Sequence, residues 1–201
     1  NRREDEYGGS DENRMRFARE ILEGVRRRVG ARAIVGYRIG VEEFTEGGLA
    51  IDDTVEIARR ICADGLADYL SLAQGNFNSI EQHLPDRHWP ILSFRGLHNR
   101  FKAVAGGIPV IASTRIQGPE QAEAVLAAGE ADMIGLCRAL IADPEWPRKA
   151  QAGRTGEGIE GGDRWAHGDL SRWWFGEDVA VVSWYDTARR RGMVLQDQPR
   201  V

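Results

Sequence analysis

The sequence predicts an α/β fold in which parallel strands alternate with crossover helices. Three observations lead there. Short apolar runs of strand length alternate with longer amphipathic segments along most of the chain. The connections are short, and a helix joining two neighbouring strands by short links makes those strands parallel. Within PVIASTRIQGPEQAEAVLAAGEADMIGLCRALIADP, Pro109 to Pro144, two strands each end in a small residue followed by an arginine, at Ser113-Thr114-Arg115 and at Cys137-Arg138. Those arginines fall at the carboxyl ends of neighbouring strands, where loop amides and helix amino ends favour anions.

Taken in order, Ser10 caps a first helix, with Asp11 and Glu12 in its first turn and Met15, Ala18, Ile21, Leu22 and Val25 on one face before Gly30 ends it. Arg26, Arg27 and Arg28 suit the negative helix end and are expected to form a solvated face. The glycines of DEYGGS resemble a phosphate loop only weakly, because no strand precedes them. Ala33–Ile39 is the first strand, and Arg38 near its end calls for either a structural ion pair or an anionic ligand. Glu42, Glu43 and Glu46 follow in a Gly-containing loop that nothing rigidifies, so they are expected to be solvated rather than a catalytic pair. Asp52 or Asp53 caps the next helix, which turns Val55, Ala58, Ile61 and Cys62 inward and stops at Gly65. A strand near Asp68–Ala73 leads into the polar-aromatic loop QGNFNSIEQHLPDRHWP. Asn76, Phe77 and His83 in it are the substrate-facing candidates, with simple loop packing as the alternative for each. His83 and His88 lack a convincing third ligand, so no metal site is expected. Leu97–Val104 makes a helix and Pro109–Ala112 a strand. Gly118-Pro119 opens a helix ended by Gly129, Ala131–Leu136 is the fourth strand, and Asp143-Pro144 starts the last helix.

Composition bounds the function classes. With 42% hydrophobic and 29% charged residues over 201 positions, the chain is ordinary for one soluble domain. A net charge of −4 argues against general nucleic-acid binding, and no apolar run is long enough to cross a membrane. The two cysteines, Cys62 and Cys137, suggest neither a disulfide framework nor a zinc cluster, and a reduced, cytoplasmic setting is expected. The polar start NRREDEYGG is no signal peptide, and its lack of an initiator Met fits a fragment or trimmed numbering.

Four segments in order, NRREDEYGGSDENRMRF, VGYRIGVEEFTEGG, the Pro109–Pro144 stretch and KAQAGR, resemble the second half of an old yellow enzyme-type NADH:flavin oxidoreductase. The branch indicated is that of trimethylamine dehydrogenase and dienoyl-CoA reductase. The resemblance covers roughly Asn1 to Gly153. It implies the last four strand–helix units of a (β/α)8 TIM barrel over residues 1–154, holding FMN. It also implies roles. Arg38 would lie by the pyrimidine side of the flavin and stabilise the reduced ring. Ser113, Thr114, Arg115, Cys137 and Arg138 would contact the cofactor, the two arginines at its phosphate. NAD(P)H or an amine would supply electrons, and an activated alkene or a similar acceptor would take them.

Family members of this branch carry clustered cysteines for a 4Fe–4S cluster after the last barrel helix; residues 155–201 contain none, so the cluster is not carried over. That segment, with Trp165, Trp173, Trp174 and Trp184, is expected to be an irregular tail, and the abrupt end of the resemblance suggests a shifted reading frame. The first four strands of a barrel and their proton donor are absent from this sequence. A half-barrel leaves two open sheet edges, so the expected partner is the missing amino-terminal half or a second copy. Two other readings compete: a non-redox phosphate-binding barrel, and an inactive fragment acting as an interaction module.

Overall fold

In the computed structural model, residues 2–83, 85 and 89–154 are described. The chain divides into two compact units, Asn1–Pro85 with Trp89–Leu136, and Asp86–His88 with Cys137–Val201. The first holds the sheet. Its strands β1 (Gly36–Gly40), β2 (Tyr69–Ala73), β3 (Val110–Ala112) and β4 (Met133–Ile134) lie in the order β1-β2-β3-β4. Every pairing is parallel. Sequential order without reversal means that right-handed crossovers all pass on one side of the sheet. This is the winding of a barrel segment rather than of an open, doubly wound sheet.

The crossover helices are α2 (Ile51–Ala63), α4 (Arg95–Val104) and α5 (Pro119–Ala127); α1 (Asp11–Val29) precedes β1, and the four-residue α3 (Ile80–His83) lies between β2 and α4. Ile39, Leu70, Leu72 and Val110 point from the strands to the helix side, where they meet Ala58 and Cys62 of α2 and Phe101 and Ala105 near α4. Five of these residues are fully buried, and the alternation along β2 puts Leu70 and Leu72 on that side and Ser71 on the other. A second cluster seats Met15 and Leu22 of α1 against Val35, Ile61 and Ala67.

Local signals account for most boundaries. Ser10 Oγ accepts from the Asn13 N–H at 3.3 Å and starts α1 as expected. Helix α2 begins before the expected aspartates: Ala50 is its cap residue, and Asp53 accepts from the Ala50 N–H at 2.9 Å from inside the first turn. The first strand starts at Gly36 rather than Ala33, because a 3-10 turn over Gly30–Arg32 delays the chain. The loop after β1 is organised rather than merely solvated. Glu43 accepts from the Leu49 N–H at 2.8 Å through its carboxylate, and its own N–H donates to the Leu49 carbonyl at 3.0 Å. On α1, Ile21 and Val25 stay 48% and 38% exposed, so only part of the predicted apolar face is buried.

Arg26 departs from the expected solvated face. It donates to Asp68 at 2.8 Å, and Asp68 also accepts from the Val35 N–H at 2.7 Å. The same device recurs at Asp132, which accepts from Lys102 at 2.7 Å and from the Val110 N–H at 2.8 Å. Both aspartates sit just before a strand and tie down the amino-terminal start of its neighbour. A repeated pattern carries them: Gly65-Leu66-Ala67-Asp68-Tyr69-Leu70 and Gly129-Glu130-Ala131-Asp132-Met133-Ile134. In each, glycine takes the positive φ that ends the helix, +65° and +67°, and alanine packs inward.

Within the second unit, the described residues form α6 (Arg138–Ala142) and α7 (Trp146–Gln151). Only one helix was expected there, so Arg138 opens a short helix instead of lying in a turn. Lys149 pairs with Asp143 at 2.8 Å. The expected tail at 155–201, and the His83–His88 comparison through His88, lie outside the described residues.

Candidate functional site

The face of the sheet opposite the helices is read from the register. Arg38 pairs with Ser71, Ser71 with Ile111 and Ile111 with Met133, which makes one row across four strands. Two residues further toward the carboxyl ends stand Gly40, Ala73, Ser113 and Gly135. That upper row carries nothing larger than a hydroxymethyl group. A Cβ added at Gly135 would come 3.3 Å from Ile111 Cγ2 and 3.4 Å from Ser113 Cβ, so even alanine would crowd the row. Lower down the space is filled: the ring of Tyr69 lies where a side chain at Gly36 would go, 2.0 Å from its ideal Cβ. The sheet is thus packed toward the amino ends and open toward the carboxyl ends.

Arg38 is exposed on this face and makes no ion pair with any other described residue. The structural ion pair that the sequence left open is not formed among them. Ser113 donates from Oγ to the Leu72 carbonyl at 2.7 Å, which closes the β2–β3 seam beneath the upper row. Thr114 and Arg115 then take positive φ values, 79° and 57°. Arg115 is buried at 4% exposure, and its Nε and Nη2 donate to the Trp89 carbonyl at 3.0 and 2.7 Å. Its own carbonyl accepts from the Leu92 N–H at 3.2 Å.

Backbone strain gathers at the same end. Among the described residues, the non-glycines with positive φ are Phe44, Thr114 and Arg115, in loops that follow strands, and Leu92, between α3 and α4. Such conformations persist where surroundings over-determine them, commonly around ligands. An aromatic cluster braces these loops. Trp89 stacks on Phe94 at 5.4 Å between ring centroids, and Phe44 meets Phe94 edge-on at 6.1 Å. Sequence reasoning missed this cluster; its signal was the spacing of large aromatics in two loops that leave adjacent strands.

The substrate-facing candidates share the strand ends. Asn76 is half-buried, Phe77 is 75% exposed, and His83 closes back on the Gln74 carbonyl through Nδ1 at 2.5 Å. Cys137 and Arg138 belong to the second compact unit, where Cys137 is exposed and caps α6 and Arg138 is half-buried in its first turn. The donor set suits a flat, anionic cofactor such as FMN: an exposed cation with no ion pair among the described residues, a row of small residues, and a strained turn ending in arginine.

Comparison with known proteins bears on which one. Residues 1–157 match the NADH:flavin oxidoreductase / NADH oxidase family. The chain is 39% identical over 158 residues to an N,N-dimethylglycine/sarcosine dehydrogenase of Chromohalobacter salexigens, covering 77% of this chain and 23% of that protein. It is 39% identical over 161 residues to an NADH oxidase of Thermoanaerobacter brockii, covering 78% and 24%. A solved 2-naphthoyl-CoA reductase in complex with 2-naphthoyl-CoA superposes with a TM-score of 0.72 at 32% identity, over 76% of this chain and 23% of that one. The chain therefore spans about a quarter of the length of these relatives. A parallel sheet wound as part of a barrel, ordered strand-end arginines and a match over most of its length place this chain in the NADH:flavin oxidoreductase / NADH oxidase family.

Proposed function

We propose that this chain is the cofactor-holding carboxyl-terminal part of an FMN-dependent oxidoreductase barrel. The observation that carries the reading is Arg38, exposed beside a row of small residues with no acidic partner among the described residues. A cation there favours extra negative charge on a ring laid against the strand ends. Ser113, Thr114 and Arg115, with Cys137 and Arg138, hold the ribityl-phosphate end; Asn76, Phe77 and His83 face the substrate. When bound, the flavin supplies the two-electron chemistry, and the protein supplies binding, orientation and charge.

NAD(P)H or an amine is the electron donor, and an activated alkene or similar acceptor takes the electrons. Relatives named as an NADH oxidase and a dimethylglycine/sarcosine dehydrogenase support both donor classes. The amino-terminal half of the barrel, or a second copy in its place, covers the open edges at β1 and β4. Two free thiols, Cys62 and Cys137, agree with a cytoplasmic setting, and no described helix is long and apolar enough to cross a membrane.

The test is an FMN titration of the chain, alone and mixed with the preceding half-barrel of a 39%-identical relative. Saturable binding that is lost in Arg115→Ala/Arg138→Ala is the expected result. In Arg38→Ala, binding persists while the flavin reduction potential becomes more negative. A potential unchanged by Arg38→Ala would overturn its assignment, and sugar-phosphate binding without flavin binding would favour a non-redox barrel.

A further inference from the structure

Gln74 follows β2 directly and continues its alternation, so its side chain enters the helix side after Leu70 and Leu72, at 1% exposure. There it meets His98 of α4, itself 2% exposed, with Nε2 to Nε2 at 2.7 Å. With the amide turned this way its nitrogen donates, which assigns the imidazole as acceptor through Nε2 with its proton on Nδ1. Gln74 Oε1 is buried without a hydrogen-bond partner among the described residues. A leucine pair would fill the site without that unsatisfied oxygen, so packing stability does not account for the glutamine.

What the pair does account for is the start of the next segment. The Gln74 carbonyl accepts from His83 Nδ1 at 2.5 Å, and the Gly75 N–H donates to the Glu42 carbonyl at 2.9 Å. Ser79 Oγ accepts from the Asn76 N–H at 2.8 Å and donates to the Glu43 carbonyl at 2.6 Å. The segment folds tightly over Gly75, at φ +55°, where a Cβ would lie 2.8 Å from Ser79 Oγ and 2.9 Å from the His83 nitrogen.

We propose that Gln74 and His98 are positioning residues: helix α4, through His98, fixes the orientation of the Gln74 peptide and so holds the segment from Gly75 to His83, with Asn76, Phe77 and His83, at the strand ends. The substrate role of those three residues rests on the flavin reading above; the positioning does not. Burial pushes the His98 imidazole down to about 4, against the pull of Glu130, which keeps it a neutral acceptor at neutral pH.

Hydrogen–deuterium exchange read by mass spectrometry on the full 201-residue chain, without flavin or substrate, tests this. Gln74→Leu/His98→Leu removes both polar partners and is expected to keep the wild-type melting temperature. Peptides covering residues 75–83 should nevertheless exchange about tenfold faster, as expected for a locally released segment. His98→Gln with Gln74 kept, which offers a carbonyl acceptor to the Gln74 amide, should retain wild-type protection. Wild-type exchange in the double-leucine chain, or exchange in His98→Gln as fast as in that chain, overturns the proposal. Absence of flavin binding would leave the exchange result standing, so the two readings fail separately.

Discussion

The two ends of the sheet are built on opposite principles. At the amino-terminal ends, Asp68 and Asp132 each accept a strand N–H and a basic side chain from the preceding helix, and each donates its own N–H to the carbonyl of the residue it caps. Both carboxyls are held below their usual range, Asp68 first by the Val35 N–H and then by Arg26, Asp132 first by Lys102 and also by the Val110 N–H. At the carboxyl-terminal ends, left-handed backbone gathers at Phe44, Leu92, Thr114 and Arg115, and Arg38 has no acid paired with it among the described residues. One end satisfies its polar groups internally, while the other keeps a cation and open space. Barrels divide in this way between a stabilising face and a ligand face.

The comparison breaks most completely if the layer common to both ends is removed. Phe101, fully buried under β2 and β3, is that layer, and Phe101→Ala is expected to lower unfolding stability by about 3–5 kcal/mol, measured by denaturant titration. A loss below about 1 kcal/mol would mean that the helices do not hold the sheet.

Acid separates the contributions by pH. His98 titrates near 6.5 when unfolded and about 4 when folded, so the unfolded chain binds the extra proton between those values. Proton binding to the unfolded chain therefore removes about 3 kcal/mol of stability as pH falls from about 6.5 toward 4, at about 1.4 per pH unit, and nothing above that range. The two aspartates have depressed values, so their contribution is present above the ordinary carboxylate value and is lost only as pH falls through their folded values. His98→Gln should flatten the first phase and leave the second; an unchanged profile would show that His98 is not buried neutral.

A smaller effect sharpens the amino-terminal device. Asp132→Ala orphans the buried Val110 N–H and should cost about 1–2 kcal/mol, whereas Lys102→Met, which removes only a partly exposed ion pair, should cost about 0.5 or less. Equal losses would shift the weight from the backbone hydrogen bond to the ion pair. The smallest stability change belongs to Arg38→Ala, within about 0.5 kcal/mol, because nothing among the described residues pairs with it. A large loss there would make Arg38 a structural residue and weaken the contrast between the ends.

Legibility followed range along the chain. Alternation in Tyr69–Ala73, the Ser10 cap and the glycine stops were readable because each acts within a turn or two. The aspartate device was half readable: its repeated Gly-x-Ala-Asp pattern is visible, but Asp68 and Arg26 are 42 positions apart and nothing local pairs them. The strand-end arginines were found by position, yet the contact of Arg115 with the Trp89 carbonyl, 26 positions away, was not. Gln74 looked like the first residue of a polar loop, and only the strand alternation carried one step further predicts that it turns inward.

The amino-acid sequence by itself determined the parallel alternation of strands and helices, the placement of Arg38, Arg115 and Arg138 near strand ends, and the family, because periodicity, caps and ordered motifs are local properties of the chain. Only the tertiary structure decided which groups satisfy one another across the sheet. It put Arg26 on Asp68, His98 on Gln74 and Arg115 on the Trp89 carbonyl, and it left Arg38 without an acid among the described residues. Those outcomes depend on register and crossover, which bring residues from distant positions to one end of the sheet, and no local pattern encodes such a meeting.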